Sequence, residues 1–187
     1  MEFSQNALGL SHKFISEHVQ RGNTCIDATA GRGRDTLFLC ELVGEEGKIF
    51  AFDIQEEAIQ STKKLLDDNH KEATLILDSH SNMDAYIEKS SVDAIMFNFG
   101  WLPGGDHSKF SHGSTSCIAI EKGLELLKVG GVMSLCIYCG KETGFEEKET
   151  LLPFLKKLDQ KKYSVLLADY INRGGNPPIA VLITKDA

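Results

Sequence analysis

The chain has 187 residues, of which 42% are hydrophobic, and this length and composition suit one domain with a substantial core. Its formal net charge of −7 argues against broad nonspecific binding to a phosphate backbone, so a nucleic-acid substrate would require a local basic patch. The sequence has no long uncharged apolar run, and its first residues lack the basic start and apolar stretch of a signal peptide. These features predict a cytoplasmic protein that does not enter a membrane.

The predicted elements begin with a helix and continue as alternating strands and helices. Residues 7–19 carry apolar side chains at helical spacing, which predicts an extra helix beside the sheet, within an N-terminal extension of residues 1–22. The predicted strands are residues 24–28, 48–53, 74–77, 94–98, 132–138, 163–169 and 179–184. The predicted covering helices are residues 35–43, 56–69, 114–127 and 146–160. This alternation predicts a single α/β domain over residues 1–187, with a mostly parallel seven-stranded sheet covered by helices on both faces.

The last connection, residues 170–178, breaks this rhythm. Its sequence, YINRGGNPP, is too short for a crossover helix and contains two glycines and two prolines. Parallel neighbours need a long crossover, whereas antiparallel neighbours can be joined by a short turn. The final two strands are therefore predicted to form an antiparallel hairpin.

The five cysteines are odd in number and lie mostly inside apolar segments, which is typical of buried free thiols in a reducing compartment. Cys136 and Cys139 spell C-x-x-C, but they lie in an apolar run and no second pair follows. We interpret them as core residues and predict no metal site.

A glycine-rich turn follows the first predicted strand in the sequence CIDATAGRGRDT, residues 25–36. Gly31 and Gly33 permit backbone angles and a close approach that a Cβ atom would block. The turn leads into a helix, so backbone N–H groups collect at the carboxyl end of the sheet. Asp53 ends the second strand twenty residues after Gly33, a spacing that presents a carboxylate to the hydroxyls of a ribose.

Both NAD and S-adenosylmethionine carry such a ribose. The dinucleotide fingerprint G-x-G-x-x-G needs a third glycine, but here Gly31 and Gly33 are followed by Thr36, which disfavours NAD. S-adenosylmethionine also has an amino-acid tail, whose ammonium can be held by an acid beside the turn, such as Asp27.

Residues 27–33, which read D-x-x-x-G-x-G, resemble motif I of class I methyltransferases. Asp53 resembles the second acidic motif of that class, and residues 78–80 resemble the third, which lies near the adenine. The resemblance implies a Rossmann-like fold with S-adenosylmethionine as its cofactor. The cofactor-binding residues that it implies are Asp27, Ala28, Gly31, Arg32, Gly33, Arg34, Asp35, Thr36, Asp53, Ile54, Gln55, Asp78, Ser79, His80 and Asn98.

The segment FNFGWLPGGDHS, residues 97–108, leaves the fourth strand at the same edge. N-F-G-W resembles the N/D-P-P-Y/F/W motif of amine-directed methyltransferases, which implies that Asn98 orients the acceptor and that Trp101 stacks on the substrate or lines the site. An alkyl amine has a pKa near 10.4 and must lose a proton before attack, so Asp106 and His107 are candidate bases. Alternatively, Asn98 is only a strand cap, and Asp106 and His107 are solvated turn residues.

Six segments together resemble one bacterial family over nearly the full length: LSHKFI, DATAGRGRDTLFL, FDIQEEAI, FNFGWLPGGDHS, IYCGKETGFEEKE and NPPIAVLITK. These are the MnmM-type enzymes, long described as rRNA methylases. The resemblance implies methylation of the amine of 5-aminomethyl(-2-thio)uridine in a tRNA anticodon stem-loop. The family commonly has G-N-G-N-D where this chain carries Arg32 and Arg34, and these arginines could instead reach the cofactor carboxylate or RNA phosphates.

Several alternatives stay open. The same fold could methylate rRNA or a small-molecule amine, the chain could be an NAD-dependent oxidoreductase, or it could be a catalytically silent S-adenosylmethionine sensor. A basic rim for RNA would consist of Arg32, Arg34, His107, Lys109, His112 and Arg173, although scattered surface charges would look the same in sequence. A homodimer is compatible with the sequence but not specified by it.

Overall fold

A computed structural model describes residues 6–99, 113–139 and 141–187, with the backbone only for residues 141–146. Its helices are α1 (Ala7–His18), α2 (Arg34–Val43), α3 (Glu56–Asp68), α4 (Gly113–Leu126) and α5 (Lys141–Leu155), and a 3₁₀ helix spans His80–Ala85. Its strands are β1 (Thr24–Asp27), β2 (Lys48–Asp53), β3 (Thr74–Leu77), β4 (Val92–Phe99), β5 (Leu127–Ile137), β6 (Tyr163–Ala168) and β7 (Ile179–Lys185).

All seven strands form one sheet in the order β3-β2-β1-β4-β5-β7-β6. The first five strands in this order are parallel to one another, whereas β7 is antiparallel to both β5 and β6. The predicted α/β architecture and the antiparallel pairing of the last two strands are thus confirmed. Because Ile179 of β7 pairs with Ile137 of β5, the β6–β7 connection lies at the carboxyl edge of the parallel strands.

The central strand β4 divides its side chains between two helical layers. Ile95 and Phe97 are buried in the core cluster that includes residues of α4 and α5. Ala94 and Met96 are buried in the cluster that includes residues of α1, α2 and α3. Side chains alternate between the faces of a strand, so Asn98 follows Met96 on the α1–α2 face.

Helix α1 begins at a defined cap and packs on the sheet as predicted from residues 7–19. The side chain of Asn6 accepts a hydrogen bond from the backbone N–H of Gly9 at 2.8 Å, which satisfies one of the free N–H groups at the helix start. Ala7, Ser11 and Ile15 recur every four residues and are all buried. The helix thereby covers one face of the central strands.

The structure differs from the sequence prediction mainly at element ends. β5 begins at Leu127 rather than at residue 132, because Leu127 already pairs with Val92 before the register of β4 and β5 shifts. Helix α5 lies five residues earlier than predicted, and Pro153 near its end removes one backbone N–H donor. The 3₁₀ helix was not predicted.

The five cysteines are free, and four of them are buried: Cys25, Cys40, Cys136 and Cys139. Burial raises the pKa of the Cys136 thiol to about 12, which suits a core residue rather than a reactive one. The described part of the chain contains no cluster of His, Cys, Asp and Glu that could hold a metal ion. No helix within that part is long and apolar enough to cross a membrane.

Candidate functional site

The carboxyl ends of β1, β2 and β4 meet at the centre of one sheet edge. β1 lies between β2 and β4, and Asp27 at its end pairs with Ala51 of β2 and Met96 of β4. Asp53 ends β2, and Asn98 is the second-last residue of β4. Three polar side chains from distant parts of the sequence therefore lie around the loop that follows β1.

This loop is held on one side by β2. The N–H of Ala30 donates to the Phe52 carbonyl at 2.9 Å, and the N–H of Gly31 donates to Asp53 Oδ2 at 2.9 Å. Gly31 and Gly33 both have positive φ angles, 54° and 80°, which favour glycine. Gly33 is the N-cap of α2, so the loop delivers a helix N-terminus to the sheet edge.

Asp27 is completely buried beneath this loop. Its carboxylate accepts hydrogen bonds from the Thr36 hydroxyl at 2.6 Å and from the Thr29 N–H at 3.0 Å. Burial, and next the negative charge of Asp35, raise the pKa of Asp27 to about 7, although both hydrogen bonds favour the charged form. Burial thus disfavours the charged form of Asp27, and a cation close to it would favour that form again.

Asp35, in the first turn of α2, joins two other elements. Its side chain is 7% exposed, and its Oδ1 lies 2.7 Å from Nε2 of His12 in α1. Its Oδ2 accepts a hydrogen bond from the Asn98 side-chain nitrogen at 3.1 Å. The ring of His12 is stacked on Phe38 of α2, with ring centroids 4.1 Å apart and planes 6° from parallel. The four residues thus link α1, α2 and β4.

Asn98 makes hydrogen bonds through its backbone and side-chain nitrogen atoms rather than through its side-chain oxygen. Its backbone N–H donates to the Thr29 hydroxyl at 2.8 Å, and its side-chain NH₂ faces Asp35. Its Oδ1 is buried and has no hydrogen-bond partner among the described residues. Buried polar atoms are almost always hydrogen-bonded, so this oxygen is suited to accept a hydrogen bond from a substrate.

The end of β2 combines a carboxylate with an exposed apolar side chain. Asp53 accepts backbone hydrogen bonds from Gly31 and, at 2.9 Å, from Gln55, the N-cap of α3. Each carboxylate oxygen has two lone pairs, so Asp53 keeps acceptor capacity for ribose hydroxyls. Ile54 is 52% exposed beside it, and such a side chain suits the flat face of an adenine.

The end of β3 presents Asp78, which is held by its neighbours. Its carboxylate accepts hydrogen bonds from the Asn82 side chain at 3.0 Å and from the Tyr86 hydroxyl at 2.9 Å. These bonds, the one from Asn82 first, lower the pKa of Asp78. Ser79 next to it caps the 3₁₀ helix by accepting a hydrogen bond from the N–H of Ser81.

His80 turns toward the β1 end rather than toward solvent. Its Nδ1 lies 3.2 Å from the Ala28 carbonyl, and its ring makes edge-on contacts with Phe97 and Phe99. Burial among these groups lowers the pKa of His80, which favours the neutral ring. Ala28 itself is buried and its N–H bonds to the Met96 carbonyl.

The remaining predicted site residues divide into two groups. Arg32 and Arg34 are exposed on either side of Gly33, at the N-terminal end of α2. Trp101, Asp106 and His107, together with Lys109 and His112 of the predicted basic rim, lie outside the described residues.

Sequence reasoning did not single out three residues that the structure brings to this edge. His12 contacts Asp35, Thr29 accepts the hydrogen bond from the Asn98 N–H, and Tyr86 donates to Asp78. Thr29 lies inside the D-x-x-x-G-x-G segment, and His12 is a polar residue near the core side of an amphipathic helix. The sequence around Thr29 or His12 does not specify its hydrogen-bond partner, because that partner is distant in sequence.

Three comparisons with known proteins agree with this geometry. A family model described as "Putative rRNA methylase" matches residues 49–184. A chloroplastic tRNA (mnm(5)s(2)U34)-methyltransferase of Arabidopsis thaliana is 32% identical over 193 aligned residues, covering 97% of this chain and 70% of that protein.

Two solved structures share the whole fold. A Clostridium thermocellum protein described as a "putative rRNA-methylase" has a TM-score of 0.95 at 49% identity, covering 98% of this chain and 100% of that one. A Streptococcus mutans protein described as a "putative methyltransferase", solved in complex with SAH, has a TM-score of 0.88 at 34% identity, covering 98% of this chain and 99% of that one.

Proposed function

This chain belongs to the rRNA methylase family, and we propose that it methylates the amine of 5-aminomethyluridine, or of its 2-thio form, at the wobble position of tRNA. It is an S-adenosylmethionine-dependent RNA methyltransferase with a Rossmann-like class I fold. The similarity to the plant tRNA (mnm(5)s(2)U34)-methyltransferase supports the more specific part of this proposal, that the substrate is the anticodon stem-loop of tRNA.

The residues at the edge fit S-adenosylmethionine in chemistry. We assign the ribose hydroxyls to Asp53, the adenine to Ile54 and the segment from Asp78 to His80, and the ammonium of the amino-acid tail to Asp27. The exposed Ile54 beside a carboxylate, and the position of Asp27 beneath the loop that follows β1, support this assignment. When bound, the cofactor supplies a methyl group on a sulfonium, which already carries its own leaving group.

The single observation that carries the amine assignment is the buried Oδ1 of Asn98, which has no hydrogen-bond partner among residues 6–99, 113–139 and 141–187. An amine N–H that donates to this oxygen directs its nitrogen lone pair away from the bond, toward the transferable methyl group. The amine nitrogen gains a methyl group and releases one proton, for which Asp106 and His107 stay the proposed acceptors. Alignment is the main contribution that the protein must make to such a displacement.

The direct test is Asn98→Ala, assayed by methyl transfer to tRNA carrying 5-aminomethyluridine. We expect kcat to fall by roughly 100-fold, because the acceptor loses its orienting hydrogen bond. Calorimetry with S-adenosylhomocysteine is expected to show a Kd within about twofold of wild type, since Asn98 is assigned to the acceptor rather than to the cofactor tail.

Asn69→Ala is the matched control, because Asn69 is an exposed residue at the C-terminal end of α3, remote from the β4 end. Turnover like that of the wild type in Asn98→Ala would remove Asn98 from the mechanism. Failure of the unaltered protein to methylate this tRNA would instead remove the wobble uridine as substrate.

A cellular measurement separates the remaining alternatives. Nucleoside mass spectrometry of tRNA from cells lacking the protein is expected to show accumulated aminomethyluridine. Unchanged tRNA nucleosides would favour an rRNA or small-molecule amine acceptor on the same fold.

A further inference from the structure

A chain of hydrogen bonds connects the acceptor-facing amide to a histidine in the N-terminal helix. His12 is 23 residues from Asp35 in sequence, and Asp35 is 63 residues from Asn98. The His12 Nε2 to Asp35 Oδ1 distance is 2.7 Å, and the Asn98 Nδ2 to Asp35 Oδ2 distance is 3.1 Å. The two oxygens of one buried carboxylate are thus divided between α1 and β4.

This division determines which way the Asn98 amide faces. An ionised carboxylate can only accept hydrogen bonds, so both His12 Nε2 and the Asn98 nitrogen must donate to Asp35. With the NH₂ group held by Asp35, the carbonyl oxygen of the amide must point away from it. That oxygen is the buried Oδ1, which no other described residue contacts through a hydrogen bond.

The histidine itself is held in a single orientation. Its ring lies parallel to the Phe38 ring at 4.1 Å, and 30% of its side chain remains exposed. A ring held in this way limits the rotation of the Asp35 carboxylate, because Oδ1 is kept on the His12 side. Oδ2 is then the oxygen that remains for Asn98.

We propose that His12 is a positioning residue for methyl transfer, which acts through Asp35 to keep Oδ1 of Asn98 facing the acceptor amine. The proposal deepens the function proposed above and rests on it. His12 is not assigned a contact with the cofactor or a proton-transfer step. Its effect is expected in the rate of the chemical step rather than in cofactor binding.

A purely structural role for His12, as a tether between α1 and α2, makes a different prediction. Helix α1 is already anchored by Ile15 and Val19, which are buried in one cluster with Leu39 and Val43 of α2. Loss of one hydrogen bond at a partly exposed ring should therefore leave the helix in place. The two roles can be separated by comparing variants that keep either the ring or the donor.

The test uses His12→Phe, which keeps an aromatic ring for Phe38 but has no donor, and His12→Gln, which keeps an N–H donor but has no ring. We expect His12→Phe to lower kcat by roughly 10- to 100-fold with an unchanged KM for S-adenosylmethionine and a Tm within about 3 °C of wild type. His12→Gln is expected to recover most of this loss. His18→Phe is the matched control, because His18 is exposed on the same helix and bonds to the Phe14 carbonyl.

Equal losses in His12→Phe and His12→Gln would overturn the proposal, because the donor would then not be the feature that matters. So would a kcat like that of the wild type in His12→Phe. A fall in Tm with unaltered kcat would assign His12 to the structural tether.

A second readout does not depend on which RNA is the substrate. The side-chain NH₂ of Asn98 can be identified in ¹⁵N-correlation spectra as the signal that is lost in Asn98→Ala. We expect His12→Phe to shift this signal and to raise its hydrogen-exchange rate, and we expect His18→Phe to leave it unchanged. An Asn98 signal that does not move in folded His12→Phe would contradict the proposal. If the wobble uridine proves not to be the substrate, this measurement still tests the link from His12 to Asn98.

Discussion

At the scale of single residues, the site depends on two carboxyl groups that are buried near each other. Asp27 is fully buried, and the charge of Asp35 adds to the effect of burial in raising its pKa to about 7. The side chains of His12 and Asn98 donate to Asp35, and the hydroxyl of Thr36 donates to Asp27. The protein therefore keeps a proton-binding group beneath its glycine-rich loop.

This arrangement makes stability depend on pH through Asp27. The pKa is raised from 3.8 to about 7 on folding, so between about pH 4 and pH 7 the folded state holds a proton that the unfolded state has lost. The contribution of Asp27 to the free energy of unfolding therefore falls as pH rises through this window and is constant above it. Relative to Asp27→Asn, the wild type is expected to lose on the order of 1 kcal/mol per pH unit between pH 5 and pH 7.

Urea denaturation of both proteins without cofactor, at intervals across that range, measures the difference. Parallel curves for the two proteins would show that Asp27 does not bind the proton.

At the scale of elements, the β1–α2 loop is shaped by its close approach to α3. A Cβ atom on Gly33 would lie 2.9 Å from the Cα atom of Thr62, which is itself fully buried. The Thr62 hydroxyl also lies 3.4 Å from the Gly31 carbonyl. The loop is thus held between β2 and α3, and this contact keeps its backbone at the sheet edge.

Gly33→Ala is accordingly expected to cost more than a substitution that only strains the backbone. Gly130 is the matched control, because its φ of 82° is close to the 80° of Gly33 but a Cβ there would meet no atom within 4 Å. Both variants bear the cost of a positive φ, roughly 1–2 kcal/mol. Gly33→Ala should lose a further 1–3 kcal/mol or so through overpacking against Thr62. Chemical denaturation measures the free energy of unfolding of both variants. Equal losses would show that α3 can move away from the added Cβ atom without a loss of stability.

At the scale of the whole molecule, the direction of β7 brings a further connection to the edge that carries the candidate site. Because β7 runs antiparallel to β5, the β6–β7 connection lies at the same edge as the carboxyl ends of β1, β2 and β4. Arg32, Arg34 and Arg173 are exposed there, and Arg173 stacks on the Tyr170 ring at 3.7 Å. In a chain with a net charge of −7, this local basic group is our proposed RNA contact.

Charge reversal tests whether RNA binds at this edge of the sheet. Arg34→Glu is expected to weaken tRNA binding and to reduce the slope of log K against log salt by about 0.7 to 0.9, the loss of one phosphate contact. Lys161→Glu is the control, because Lys161 is exposed just before β6, at the opposite edge of the sheet. Gel shifts across a salt series provide the measurement, and equal effects of both variants would indicate only nonspecific charge attraction.

The sequence alone predicted all seven strands and all five α-helices of the described residues, with their ends placed to within five residues, but not the 3₁₀ helix. Such elements follow from local periodicity: alternating side chains in strands and three-and-four spacing in helices. The short connection before residue 179 likewise predicted the antiparallel pairing of the last two strands. The three acidic strand ends were visible for the same reason, since each is defined by the residues beside it.

Apart from the pairing of β6 with β7, only the tertiary structure decided which of these elements are neighbours. Nothing local in β7 specifies that it lies between β5 and β6, and nothing local in α1 specifies that His12 meets Asp35. The raised pKa of Asp27 also exists only because packing removes water and brings Asp35 near it. Contacts between residues far apart in sequence depend on how helices pack across the sheet, and that packing is a property of the whole core rather than of any one segment.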